Sequence, residues 1–208
     1  MTTPEDIYAQ NDVHWWLADG EALEEVDLSD GHLIGAHFPK MNFTGARFEH
    51  ADLRYANLTR TILVDANLQG AQLTGAKLSG ANLQGANLEG AHLENADLLR
   101  ANLQEANFKK ADLRHVTMRS AKMGKADFTN ADLRGANLHG AFDCLSVTFD
   151  GADFGGARLD FTGLDKLELI WKGCKFDNFT ELHNRINVLK NFKASWVDFL
   201  PAFLRKTK

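Results

Sequence analysis

Residues 66–105 read ANLQG AQLTG AKLSG ANLQG ANLEG AHLEN ADLLR ANLQE. A large apolar residue returns every fifth position. Working outward in both directions, the same frame holds Leu, Phe or Met at 23 consecutive positions, from Leu28 to Leu138. Ala stands two residues before this centre at 19 of the 22 positions between Ala36 and Ala141, with Met41, Thr61 and Val116 as the exceptions. A period of five is neither the 3.6 of a helix nor the 2 of a strand, and repetition this strict signals a solenoid. Residues i and i+2 of an extended segment face one side, so Ala and its centre point inward together. The residue between them, commonly Asn or Asp as at Asn67, Asn87 and Asp112, points outward. The next two positions are small or polar, as at Gly70, Gly75, Gly80, Gly85 and Gly90, and suit a corner. Each pentapeptide is thus one short side of a coil.

This A(D/N)LXX pattern resembles the pentapeptide-repeat family. The resemblance runs from about Val26 to Cys174. It implies an all-β solenoid, a right-handed quadrilateral β-helix in which four pentapeptides form one square coil. The predicted organisation is an N-terminal cap over 1–25, the β-helix over 26–176 and a C-terminal amphipathic helix over 177–208. After Gly140 the centres move one residue later, to Cys144, Phe149, Phe154, Leu159, Leu164, Leu169 and Cys174, so a one-residue frame slip is expected near Ala141. About 30 sides at four per coil, with ~4.8 Å between stacked strands, give a rod roughly 36 Å long.

The 208 residues carry a formal charge of −5. Residues 1–30 hold nine acidic side chains and no Lys or Arg, residues 31–174 are balanced, and residues 175–208 hold seven basic and three acidic side chains. The start, MTTPEDIYAQND, lacks the apolar region of a signal peptide. No apolar run reaches the length of a membrane-spanning helix. A cytoplasmic, bacterial protein is expected. On that reading the N-x-Thr matches at Asn42, Asn57 and Asn178 are incidental. Cys144 and Cys174 both fall on centre positions and read as core fillers.

The ends depart from the repeat. Thr3-Pro4-Glu5-Asp6 reads as a helix start. Trp15 and Trp16 follow, either plugging the first coil or offering a recognition surface. Near the C-terminus Thr180 reads as a helix cap, and Leu182, Ile186, Leu189, Phe192, Trp196, Phe199 and Phe203 recur at spacings of three and four. The apolar arc is wider than a surface helix needs. Topoisomerase-protecting members of the family dimerise through their C-terminal ends, so the resemblance implies a homodimer through this helix. A monomer with a thick cap, or contact of the basic end with a membrane surface, remain open.

No catalytic, cofactor-binding or metal-ligating residues are predicted: the sequence has no Walker A loop, GxGxxG, HExxH or zinc-type Cys/His spacing. Lys109, Lys110, Arg114, His115, Arg119, Lys122 and Lys125 form the densest basic stretch. Spread over one coil they make a ring, and positions twenty apart supply acids: Glu89 for Lys109, Glu94 for Arg114, Glu105 for Lys125. Direct nucleic-acid binding is therefore not expected. Ile62 and Val64, flanking one centre, are the candidate lateral patch. The expected function is a non-enzymatic scaffold for protein partners of unknown identity. The alternative is a DNA-mimic protein that binds gyrase or topoisomerase IV and confers fluoroquinolone resistance.

Overall fold

The computed structural model describes residues 22–141, 146–160, 175 and 181–183. Within them the chain is a parallel β-coil in which each side pairs with the side four pentapeptides on, as in Asn67↔Asn87 and Asn87↔Asn107. The coil is therefore four-sided. Parallel connections of this kind wind right-handed.

The backbone explains how so short a side can pair at all. The amide of each centre donates to a carbonyl of the next coil, as Leu68 to Asn87 at 2.7 Å. The amide of the residue before it donates to the previous coil, as Asn87 to Ala66 at 2.9 Å. Each corner closes with a bond from the following Ala back to the centre, as Ala71 to Leu68 at 3.0 Å. The third residue of that turn is left-handed, the conformation a type II turn assigns to Gly. Gly75 shows why the small residue matters: its φ is +67°, and a Cβ there would sit 2.7 Å from the ring of Tyr55 on the neighbouring coil. Elsewhere the corner tolerates a side chain, as at Tyr55 (φ 60°) and Arg60 (φ 59°).

The lumen is filled as the sequence predicts. Every centre from Leu28 to Leu138 is buried, and so is every residue two before a centre from Ala36 to Ala141. Aromatic rings cluster in two places. Phe38, Phe43 and Phe48 meet edge to face at 5.3 and 5.2 Å, while Phe108, Phe128 and Phe149 stack with centroids 4.9 and 5.1 Å apart. Thr61, one of the three exceptions to Ala, is the one buried polar residue among those described. Its hydroxyl donates to the Phe38 carbonyl at 2.6 Å, which offsets the cost of burying it.

The predicted frame slip is present. Asp127 pairs with Thr148 and Asp132 with Asp153, each one position beyond the regular spacing, and Val147, Phe149, Phe154 and Leu159 are buried. The slip then grows. Asp153 pairs with Lys175, two positions beyond the regular spacing. β1 (Asn137–Leu138) pairs with β2 (Arg158–Asp160), and β2 pairs in parallel with β3 (Glu181–His183). Arg158↔Glu181 lies three positions beyond it.

The structure departs from the sequence reading in four places. Lys175 takes the register position that a constant frame gives to Gly173, so the predicted frame has shifted by the time the chain reaches Lys175. Strand pairing outlasts the boundary predicted at 176. Leu182, predicted as the first apolar position of the C-terminal helix, lies instead in β3, in register with Leu159. At the other end Ala22, the first described residue, already pairs with Asn42, so the predicted cap over 1–25 overlaps the β-coil. Trp15, Trp16, Cys144, Cys174, Ile186, Leu189, Phe192, Trp196, Phe199 and Phe203 lie outside the described residues.

Candidate functional site

With their interior filled, the described residues present their polar groups on four outer walls, each a ladder of outward residues about 4.8 Å apart. The first runs from Ala22 to Lys122, the second from Asp27 to Thr148, the third from His32 to Lys175 and the fourth from His37 to Glu181. The backbone is the same on all four, so the side chains alone distinguish them.

The second wall shows why Asn is so common between Ala and the centre. Asn107 Nδ2 donates to Asn87 Oδ1, and Asn87 Nδ2 to Asn67 Oδ1, both at 3.0 Å. Asn67 Nδ2 ends the ladder on Glu49 Oε1 at 2.8 Å. Each Oδ1 also accepts the amide two residues on, as from Glu89 to Asn87 at 3.2 Å. One side chain therefore ties its own turn and both neighbouring coils. The same local bond forms at Asn42 and Asn57, whose Oδ1 atoms take the amide and the hydroxyl of Thr44 and Thr59. These two N-x-Thr matches are turn devices.

On the third wall the repeat ADLR occurs three times. In each, Arg folds back on the Asp two residues before it: Arg54 on Asp52, Arg114 on Asp112 and Arg134 on Asp132, with Nη2–Oδ2 distances of 2.6, 2.6 and 2.5 Å. Nε supplies a second bond at 2.8 Å in all three. Such forked pairs are the strong geometry for Arg and carboxylate. Arg114 also reaches Glu94 at 3.2 Å and Asp132 at 3.9 Å. The hydrogen bond from Arg114 holds the Asp112 carboxyl below the usual carboxylate range against the opposing effect of burial, and Arg54 does the same to Asp52. The Arg114 guanidinium is raised in return.

Two of the three predicted cross-coil pairs form: Glu94–Arg114, and Glu105–Lys125 at 2.7 Å. The third is exchanged. Glu89 pairs with Lys110 at 2.8 Å, while Lys109 turns to Asp127 at 3.2 Å. On the first wall Ile62 is 37% exposed and Val64 half-buried on either side of Leu63, so the predicted lateral patch is one contiguous pair. Ile34 and Tyr55, on the third wall and its corner, are more exposed still.

The fourth wall is different in kind. With the turn that follows it, it carries Lys40, Arg60, Lys77, Arg100, Arg119 and Arg158, and all six cations are exposed. The acids along the same columns of the sequence are Asp97, Asp160 and Glu181. The first wall sets Glu24, Glu25, Asp65 and Glu105 against Lys122 and Lys125. The second sets six carboxylates, from Asp27 to Asp150, against Arg47, Lys109 and Lys110. The balanced rod of the sequence reading is thus a basic wall joined to acidic ones. Reading the chain in rows of twenty makes the column visible; reading along the chain disperses it.

Among the described residues no group of His, Cys, Asp and Glu is arranged to hold a metal ion, and no helix is long and apolar enough to cross a membrane.

Among protein families, the profile described as Pentapeptide repeats matches eight copies, over residues 23–54, 42–80, 81–119 and 111–142. No curated protein sequence matches. Among solved structures, the chain is similar to a pentapeptide repeat protein from the Arabidopsis thaliana thylakoid lumen, at 28% identity over 61% of this chain and 86% of that one, with a TM-score of 0.46. It is similar to full-length QnrB1, a plasmid-mediated fluoroquinolone resistance protein, at 19% identity over 77% and 93% of the two chains, with a TM-score of 0.45. A third is HetL, involved in heterocyst differentiation regulation in the cyanobacterium Nostoc, at 24% identity over 79% and 87%, with a TM-score of 0.26.

Proposed function

The chain belongs to the pentapeptide-repeat family, and from that premise we propose that it is a non-enzymatic scaffold that binds protein partners along its outer walls. The observation that carries this reading is the division between inside and outside. The lumen is filled by the chain's own apolar side chains from Leu28 to Leu159, and the polar groups are laid out as flat, periodic and chemically distinct walls. Such a body offers extended surface at fixed spacing, which suits recognition of another macromolecule.

Self-association belongs to the same proposal. After His183 the sequence keeps Ile186, Leu189, Phe192, Trp196, Phe199 and Phe203 at helical spacing, and we assign these to a homodimer contact. A cytoplasmic location is part of the same reading. Gyrase or topoisomerase IV as the partner is the second reading. It calls for a DNA-like acidic envelope, and the exposed cations of the fourth wall stand against it.

The test uses the immobilised full chain in extract from its own host. A discrete protein should be retained, and should bind again when purified. Retention no greater than on a heat-denatured control would overturn the scaffold reading. Light scattering should give twice the monomer mass, falling to one when Phe192 and Phe199 are both changed to Asp; a monomeric parent chain removes the dimer. Protection of gyrase from drug-induced cleavage at micromolar protein would favour the second reading.

A further inference from the structure

Five consecutive coils of the fourth wall each carry one exposed cation: Lys40, Arg60, Lys77, Arg100 and Arg119. At ~4.8 Å per coil this line is about 19 Å long. The side chains of Arg60, Lys77, Arg100 and Arg119 make no hydrogen bond or ion pair among the described residues. Asp97 is the one carboxylate on this wall in these coils, and its Oδ1 is taken by the amide of Leu99 at 2.9 Å. The contrast with the third wall is direct, because every Arg there is closed on an Asp two residues before it. The chain therefore builds both arrangements on one backbone, and leaves these four cations of the fourth wall open.

We propose that this strip is the docking surface for an extended acidic segment of a protein partner, an assignment that rests on the scaffold reading and names the wall it uses. Charge complementarity sets the class of ligand. The choice of a protein segment over nucleic acid rests on three observations. The chain as a whole is acidic, with a charge of −5 and an isoelectric point near 5.9, whereas nucleic-acid-binding domains are commonly strongly basic. The strip is short, and a nucleic acid running past it would meet the acidic walls within about one Debye length (~8 Å at 0.15 M ionic strength). The described positions of the strip carry no Phe, Tyr or Trp, the large rings on which successive bases stack. An extended peptide, by contrast, presents alternate side chains about 6.6 Å apart, so three carboxylates on one face span most of the strip. The wall's amides and carbonyls already bond along the rod axis, so recognition runs through side-chain charge and is steeply salt-dependent.

The experiment measures anisotropy of a fluorescein-labelled deca-glutamate peptide and of a labelled single-stranded DNA decamer on the full-length chain. Ionic strength is set at 0.01 M, where the Debye length is about 30 Å, and again at 0.15 M. The peptide should bind more tightly than the decamer and weaken with salt. Arg60→Glu with Arg100→Glu should weaken it by at least about tenfold, and the neutral pair Arg60→Gln with Arg100→Gln by less. Changing Glu49 to Gln, on the second wall, should leave it unchanged. Circular dichroism confirms that each variant keeps its strand signal. No peptide binding at low salt, equal binding by the charge-reversed chain, or tighter binding of the decamer each overturns the assignment. If the charge-reversed chain still captures a host protein with parental affinity, the scaffold reading stands and the fourth wall is not its docking surface.

Discussion

The third and fourth walls stand side by side on one coil, are built on the same hydrogen-bond pattern and cover one lumen, yet they treat charge in opposite ways. On the third, ADLR places Asp and Arg two residues apart, hence on one face, and the pair closes on itself. On the fourth, the cations at Arg60, Arg100 and Arg119 have no acid two residues before them, and they stay open. The lesson is that the pentapeptide separates two tasks. The Ala and the centre fill the lumen; the three outward positions hold the turns and set the character of each wall.

The sharpest way to break this separation is from the inside. Leu73→Ala lies behind the third wall and Leu78→Ala behind the fourth, and both side chains are fully buried. Each should cost about 2–5 kcal/mol by chemical denaturation, in the range for Leu removed from a packed core. Similar losses are expected, and a large difference would mean that the walls are not carried on a uniform interior.

Acid acts differently on the two walls. Asp52 and Asp112 have carboxyls lowered by their Arg partners. A group with a depressed folded value stabilises the fold above its unfolded value, about 3.9 for Asp, and that contribution is lost as pH falls through the folded value. The melting temperature should therefore drop below about pH 4. Asp112→Asn should lower it at pH 7 by a few degrees and flatten the acid limb. Lys77→Gln, on the fourth wall, should leave the limb unchanged; an acid limb equally steep in Asp112→Asn contradicts the assigned pairing.

Smaller effects follow. Glu94→Lys should lower the melting temperature slightly, because Arg114 keeps Asp112 as its close partner. The smallest effect is expected at Arg100→Gln, where no described partner is lost and the melting temperature should stay the same. A clear fall there would mean that the fourth wall's cations are structural.

The lumen is readable from sequence because each centre is confirmed by an Ala two residues before it. Past Leu159 that second signal is gone: Thr162, Leu167 and Lys172 stand where Ala is expected before Leu164, Leu169 and Cys174. With one anchor instead of two, the constant frame misses the added residues that bring Lys175 opposite Asp153 and Leu182 opposite Leu159. The exchange of Lys109 for Lys110 at Glu89 escapes for another reason. Stacking by twenty predicts which backbones are neighbours, while a long Lys side chain selects among several acids. The basic wall is present in the sequence but visible only in columns of twenty; a count along the chain averages it with the acids of the other three walls.

Positions twenty apart are neighbours, in the fold and in the cation strip alike. The most direct test places nitroxide labels at Arg60 and Arg100, through Arg60→Cys and Arg100→Cys in a chain with Cys144→Ser and Cys174→Ser, and measures their separation by electron paramagnetic resonance. Two coils separate these positions, so backbone points about 10 Å apart and strong dipolar broadening are predicted. A separation well beyond about 20 Å, more than four strand spacings, would contradict the stacked coil and the continuous basic wall together.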